Sequence, residues 1–291
     1  MTPTLVRQHL PHAGTTPQVD QWARARDWAE IQERMLVPLY EAVYERLEVG
    51  SSSRLLGLGC GSGLALLMAT ARGASVTGLQ AHAPERLALA RERLLPGAWG
   101  TRACAGARLT DGGPADIGDA AAAATTTATY NLVTAFEPVG CVAGDCEGLA
   151  EALTAAAPLV GPGVPVVLVG WGPPERCATS SVLQLATKLA NPLRDGAGRW
   201  RPALRDDLEE VAGRAGLRPD GSGRVACPFG YADTDNAVRG LMSTGLFDAA
   251  VAATDPAQVD KEVREALHPH RRRDGTVWMP NVFRYLIART V

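Results

Sequence analysis

The sequence predicts an α/β chain: a mostly parallel sheet covered by helices on both faces. Three observations carry that expectation. The apolar run Leu55-Leu56 breaks into glycines at alternate positions (Gly57, Gly59, Gly61, Gly63) and gives way at once to a helical stretch. Short apolar or β-branched runs then alternate with helical periodicity along most of the chain. The runs themselves, such as residues 164–169 after Gly161-Pro162-Gly163, are continuously apolar, as strands buried on both sides are.

Each element follows from its own pattern. Residues 1–19 carry no periodicity and are expected to be a flexible tail. From 20 to 47 apolar residues recur at helical spacing (Trp22, Ala25, Trp28, Ala29, then Ile31, Met35, Leu39, Val43, Leu47), with Pro38 starting a second helix or kinking the first. Residues 54–58 read as strand, 64–72 as helix and 75–79 as strand. Residues 84–95 read as an amphipathic helix opened by Pro84. A short third strand is placed at 101–105. The alanine- and threonine-rich stretch 111–129 is a loop or a poor helix. Strand 130–136, helix 147–157 and strand 164–169 follow. Helices are expected at 178–190, 205–215, 236–246 and 257–267, and strands at 224–228 and 282–288. The domain reading is therefore a tail (1–19), N-terminal lid helices (20–50), a cofactor-binding core (51–175), remaining core elements with a helical substrate cap (176–280) and a closing strand (281–291).

Composition excludes several classes. The 291 residues carry 29 basic and 31 acidic side chains, so nothing draws the chain to nucleic acid or membrane. No apolar run approaches the roughly 20 residues that span a bilayer, and the polar, proline-bearing start has no signal-peptide core. Six scattered cysteines show neither disulfide nor metal-ligand spacing. The expectation is buried reduced thiols in a cytoplasmic protein, with no metal site.

The glycine turn carries the chemistry. A strand that ends on bare backbone and opens a helix lets a nucleotide-like ligand approach the main chain. A dehydrogenase fingerprint needs G-x-G-x-x-G, whereas this turn reads Gly57-x-Gly59-x-Gly61-x-Gly63. That spacing, with Gly78 near the end of the next strand, resembles motif I of the class I S-adenosylmethionine-dependent methyltransferases. Further likenesses are to bacterial small-molecule methyltransferases of the type 11-like group. They lie in Trp28-Ala29-Glu30, Gln32-Glu33, Pro38-Leu39-Tyr40, Tyr130-Asn131-Leu132-Val133, the segment from Leu159 to Trp171, and Asn281-Val282-Phe283-Arg284-Tyr285. The resemblance covers residues 20–291. It implies a Rossmann-like, doubly wound, seven-stranded sheet with N-terminal helices and a helical cap insert.

The resemblance also implies a site. S-adenosylmethionine would lie with its methionine end over Gly57, Leu58, Gly59, Cys60, Gly61 and Gly63. Its ribose would lie at Gln80 and Ala81, and its adenine near Ala105. Phe136 would stand beside it, with Trp28 and Gln32 closing from the N-terminal helix. The family places carboxylates where Gly57 and Gln80 stand and near Ala105, and all three are replaced here. Trading the charged acceptor at Gln80 for a neutral one costs about tenfold in affinity. Methyl transfer needs mainly in-line alignment, and a base only where the nucleophile must shed a proton. Glu137 and His82 are the candidates for that base, and Trp171 and Tyr231 the candidate substrate walls. His268 and His270 are read as solvent-facing.

The function read from these residues is methyl transfer to oxygen or nitrogen of a small, secondary-metabolite-like acceptor, leaving S-adenosylhomocysteine. The alternative is a chain that kept the fold but lost methyl transfer, acting as a cofactor-independent, cyclase-like catalyst or a non-catalytic subunit. Gly61→Val is expected to block the ligand and spare the fold.

Overall fold

A computed structural model describes residues 20–95, 106–117, 130–190 and 200–291. The tail 1–19, the strand placed at 101–105, Ala105 and most of the low-complexity stretch lie outside these residues.

The helical N-terminus is interrupted. Asp20 accepts the Trp22 and Ala23 N–H groups and so caps α1 (Gln21–Asp27). A π turn, Trp28–Gln32, and a 3₁₀ turn, Glu33–Leu36, follow before α2 (Val37–Arg46) starts with Pro38 in its first turn. The extra residue of a π turn re-aims the helix face and is common at functional sites. Here the Glu33 N–H donates to the Trp28 carbonyl, and Gln32 and Glu33 are both turned inward.

The sheet is built from β1 (Arg54–Leu58), β2 (Ser75–Gln80), β3 (Ala107–Asp111), β4 (Leu132–Val139), β5 (Pro165–Trp171), β6 (Arg218–Ala226) and β9 (Val282–Arg289). Their order is β3-β2-β1-β4-β5-β9-β6. All run parallel except β9, which is antiparallel to both of its neighbours. The third strand is Ala107–Asp111, so Asp111, expected to open the loop or poor helix 111–129, instead pairs with Gln80. Between β1 and β4 the order reverses, and in open α/β sheets that switch point opens the crevice where ligands bind.

Helices cover both faces. Leu55, Val76, Leu132 and Val167 pack with α2, α3 (Leu64–Ala71) and α4 (Pro84–Leu94). Leu56, Val133 and Leu168 pack with α5 (Asp145–Ala156) and α7 (Asp207–Arg214). Leu39, Leu55, Leu56, Leu87 and Leu168 are fully buried, each contributing about 1.5–3 kcal/mol. The late helices, α6 (Thr179–Leu189), α8 (Thr234–Ser243), α9 (Asp248–Ala253) and α10 (Pro256–Leu267), gather beside the N-terminal segment, and α8 lies on the π turn. A ribbon of β7 (Phe229–Tyr231) and β8 (Val277–Met279) joins them. Its strands are too short for alternation to reveal, and neither is foreseen from sequence.

No helix among the described residues is long and apolar enough to cross a membrane. Among them too, no three His, Cys, Asp or Glu side chains gather to hold a metal ion. Cys60, Cys141, Cys146, Cys177 and Cys227 are free and buried. Burial, helped by the nearby Glu33 charge, pushes the Cys60 thiol up to about 12, and burial does the same for Cys227. A thiol-specific reagent at about pH 8 should therefore leave these five thiols unlabelled in the native protein and label them after unfolding. Rapid labelling of any of them in the native protein would contradict this burial.

Candidate functional site

The site is built at the carboxyl ends of β1, β2 and β4. Gly59 and Gly61 hold φ of 63° and 57°, left-handed values that an L side chain resists. Of the turn's N–H groups, Cys60 donates to the Leu79 carbonyl at 2.9 Å and Gly61 to Gln80 Oε1 at 2.7 Å. Gln80 Nε2 reaches the Ala81 carbonyl at 3.2 Å. Gln80 is thus a brace of the turn as well as a cavity wall. Its buried carbonyl oxygen, expected to face a ribose, already holds Gly61.

At Gly57, where the resemblance led to the expectation of a carboxylate, the neighbour is apolar. Gly57 and Gly78 are register partners, and Leu66 of α3 lies over both: a Cβ would meet its side chain at 3.0 and 2.5 Å respectively. A side chain at Gly57 would press on the end of Leu66.

A carboxylate arrives instead from the N-terminal segment. Glu33, 2% exposed, accepts the Ser62 N–H at 3.1 Å, the Ser62 hydroxyl, and Arg93 Nη1 at 3.1 Å. Arg93 also donates to the Ser62 carbonyl at 2.9 Å. The sequence offered Glu33 only as half of a Gln-Glu pair on a helix face; nothing local signals that it seals a turn 29 residues away.

Trp28 completes the seal. Its ring carries the Arg86 guanidinium 4.1 Å from the ring centre, and its Nε1 lies 3.4 Å from where a Gly61 Cβ would stand. A Cβ at Gly61 would also strike Glu33 Oε1 at 2.8 Å. Gly61→Val would therefore unseat Trp28 and Glu33 as well as obstruct a ligand, so sparing of the fold is no longer expected. Gly59 is different: within 4 Å its Cβ would meet only Glu137 Oε2, at 3.4 Å.

Two spaces flank this turn. Trp28, Glu33, Leu36 and Tyr40 narrow the one over Gly57, Cys60 and Gly61 to about 30 Å³, room for roughly two waters. Phe136 lies against this recess, its ring 4.8 Å from that of Tyr40. The other is a cavity of about 490 Å³ over Leu58, Gly59, Gln80, Ala81 and Glu137, reaching Trp171. Trp28 and Gln32 line it from the N-terminal π turn, and Gly112, Gly113 and Pro114 follow β3 into it.

Glu137 is aimed there by a defect in the ladder. Opposite β5 the register slips between Ala135 and Val139, and Pro138 has no N–H to donate. Glu137 turns out of the sheet, mostly exposed, with Oε1 4.0 Å from Arg86 Nη1. Arg86 is otherwise committed to the Ser243 carbonyl at 3.0 Å, and burial pulls its guanidinium below the ordinary value while Glu137 pulls it up.

Other expected residues lie elsewhere. His82, with φ of 60°, is exposed on the rim of an adjoining polar cleft of about 360 Å³ that shares Gln80, Ala81 and Glu137 with the large cavity and runs beside Arg24, Glu85 and Asp248. It does not line the large cavity. Tyr231 is buried beneath the lid, donating its hydroxyl to Gln32 Oε1 at 2.9 Å; it supports the wall without forming it. Gly63 faces Ala90 and Leu94 of α4, away from both spaces. His268 is exposed and His270 partly so. Wall residues not anticipated include Phe229, Phe283, Leu246 and Leu149.

No protein-family profile and no curated protein matches the sequence. Among solved structures, the YcgJ protein of Bacillus subtilis aligns over 86% of this chain and 97% of its own, at 12% identity and a TM-score of 0.51, a likeness of fold. A geranyl diphosphate C-methyltransferase from Streptomyces coelicolor aligns over 89% of this chain and 80% of its own, at 15% identity and a TM-score of 0.47. A SAM-dependent methyltransferase from Methanosarcina mazei aligns over 85% and 96%, at 12% identity and 0.46.

Proposed function

We propose that this chain is an S-adenosylmethionine-dependent methyltransferase acting on a small, largely apolar acceptor. The observation that carries the reading is Gly59: a bare left-handed position at the sheet's switch point, open to a cavity of about 490 Å³. That volume lies in the range of small-ligand sites, roughly 300–1,000 Å³.

The residues present fit an adenosyl ligand on two counts. The adenosine half finds Gly59, Gln80, Ala81 and the Gly112-Gly113-Pro114 turn on one wall. For the amino-acid half, the Trp28 indole N–H is buried without an acceptor. Such an orphan costs about 1–3 kcal/mol, which a ligand oxygen beside it would recover. Reaching that position requires the indole to swing off Gly61.

When bound, the sulfonium supplies an electrophilic methyl carbon. The chain's own contribution is then alignment and water exclusion. Trp28 and Gln32 close from the lid, Trp171 and its neighbours hold the acceptor, and Glu137 stands beside Gly59 to take the acceptor's proton. Calorimetry with S-adenosylhomocysteine is the test. Saturable binding at micromolar concentration is expected, and absence of heat at millimolar ligand would remove the proposal. With an acceptor in hand, Glu137→Gln should lower turnover by about 10²-fold or more, while unchanged turnover across the pH range would exclude it as the base.

A further inference from the structure

The charges around the large cavity are one-sided. Its wall is apolar along most of its length, and the half-buried Trp171 is the exposed member of a ring cluster. Phe283 and Phe229 stand behind it at centroid distances of 4.7 and 6.0 Å. Two carboxylates line it, Glu137 and Asp145. Among the described residues no arginine, lysine or histidine does. The nearest cations are engaged with the acids from outside the wall: Arg201, 3.9 Å from Asp145 Oδ1, is bound to Asp207 at 3.0 Å, and Arg86 Nη1, 4.0 Å from Glu137 Oε1, donates from Nη2 to the Ser243 carbonyl. Cys141, also on the wall, is held as a neutral thiol, chiefly by burial and then by the Asp145 charge.

An anionic ligand would enter a largely apolar space beside two like charges, with no cation on the described wall to receive it. A ligand with an N–H or ammonium group meets the opposite: carboxylates to accept its hydrogen bonds and an indole face that attracts cations. We propose that the acceptor is a ring-bearing amine and that the cavity rejects carboxylates and phosphates. This rests on the proposed methyltransferase reading, with the Trp171 end of the large cavity as the acceptor site and the Gly59 wall left to the adenosine half.

The test uses the whole protein without cofactor and three probes of one shape: 2-naphthylmethylamine, 2-naphthylmethanol and 2-naphthoate. By calorimetry the amine should bind about tenfold or more tighter than the acid, with the alcohol between. Glu137→Gln should bring the amine's affinity close to the alcohol's. Because the Glu137 side chain is mostly exposed, that variant should fold normally. An acid bound as tightly as the amine, no binding by any probe at millimolar concentration, or an unchanged amine-to-alcohol ratio in the variant would overturn the proposal. S-adenosylhomocysteine titrated separately distinguishes the two readings. Amine preference without nucleoside binding defeats only the methyltransferase, and nucleoside binding with acid preference defeats only the amine.

Discussion

Gly59→Asn is expected to weaken S-adenosylhomocysteine binding by about 100-fold, roughly 2.7 kcal/mol, while the fold survives. Asparagine is the residue to use because it tolerates left-handed backbone better than other side chains, and Gly59 holds φ of 63°. Its Cβ would have no close neighbour but Glu137 Oε2, so the side chain enters the cavity instead of the core. Gly216→Asn is the matched control. Gly216 has φ of 68° with nothing within 4 Å of a Cβ and lies outside the cavity wall, so it carries the same backbone strain without touching a ligand. Equal affinity in both variants would make the open glycine irrelevant to binding.

Glu33→Ala should destabilise the fold more than Gly59→Asn or Glu137→Gln does. It leaves Arg93, 22% exposed, and the buried Ser62 N–H and hydroxyl without their shared acceptor. Breaking a buried pair from one side typically costs 3–5 kcal/mol, or about 10 °C in Tm for a chain of this size. Because the same carboxylate ties the lid to the glycine turn, protease sensitivity should rise first around residues 28–36. Glu33→Gln with Arg93→Gln should lose less than the sum of the two single changes. A shift within about 2 °C for Glu33→Ala would show that the contact carries no weight.

What the sequence disclosed depended on how local the signal was. The glycine turn, the β1–α3–β2–α4 alternation and the closing strand are written in spacing and apolar runs, and they stand within a few residues of their expected places. Ala107–Asp111 gave no such signal, because it mixes arginine, threonine and aspartate on a half-exposed edge, and the strand expected at 101–105 lies outside the described residues. Glu33 was hidden because its partners, Ser62 and Arg93, lie on other elements. Arg86 read as the polar face of an amphipathic helix; only folding sets its guanidinium on Trp28. A clue was present at Glu137 in the following Pro138, whose missing N–H forces the bulge. The glycine at Gly57 was legible, but Leu66 lying across two paired glycines was not.

Everything proposed for the site turns on whether an adenosyl group rests on Gly59. Difference density from a crystal grown with millimolar S-adenosylhomocysteine decides it. Adenosine-shaped density against Gly59, between Gln80 and Glu137 with the Trp28 indole turned off Gly61, is the expected result. A featureless map there, or density only in the cleft of Arg24 and His82, would contradict it.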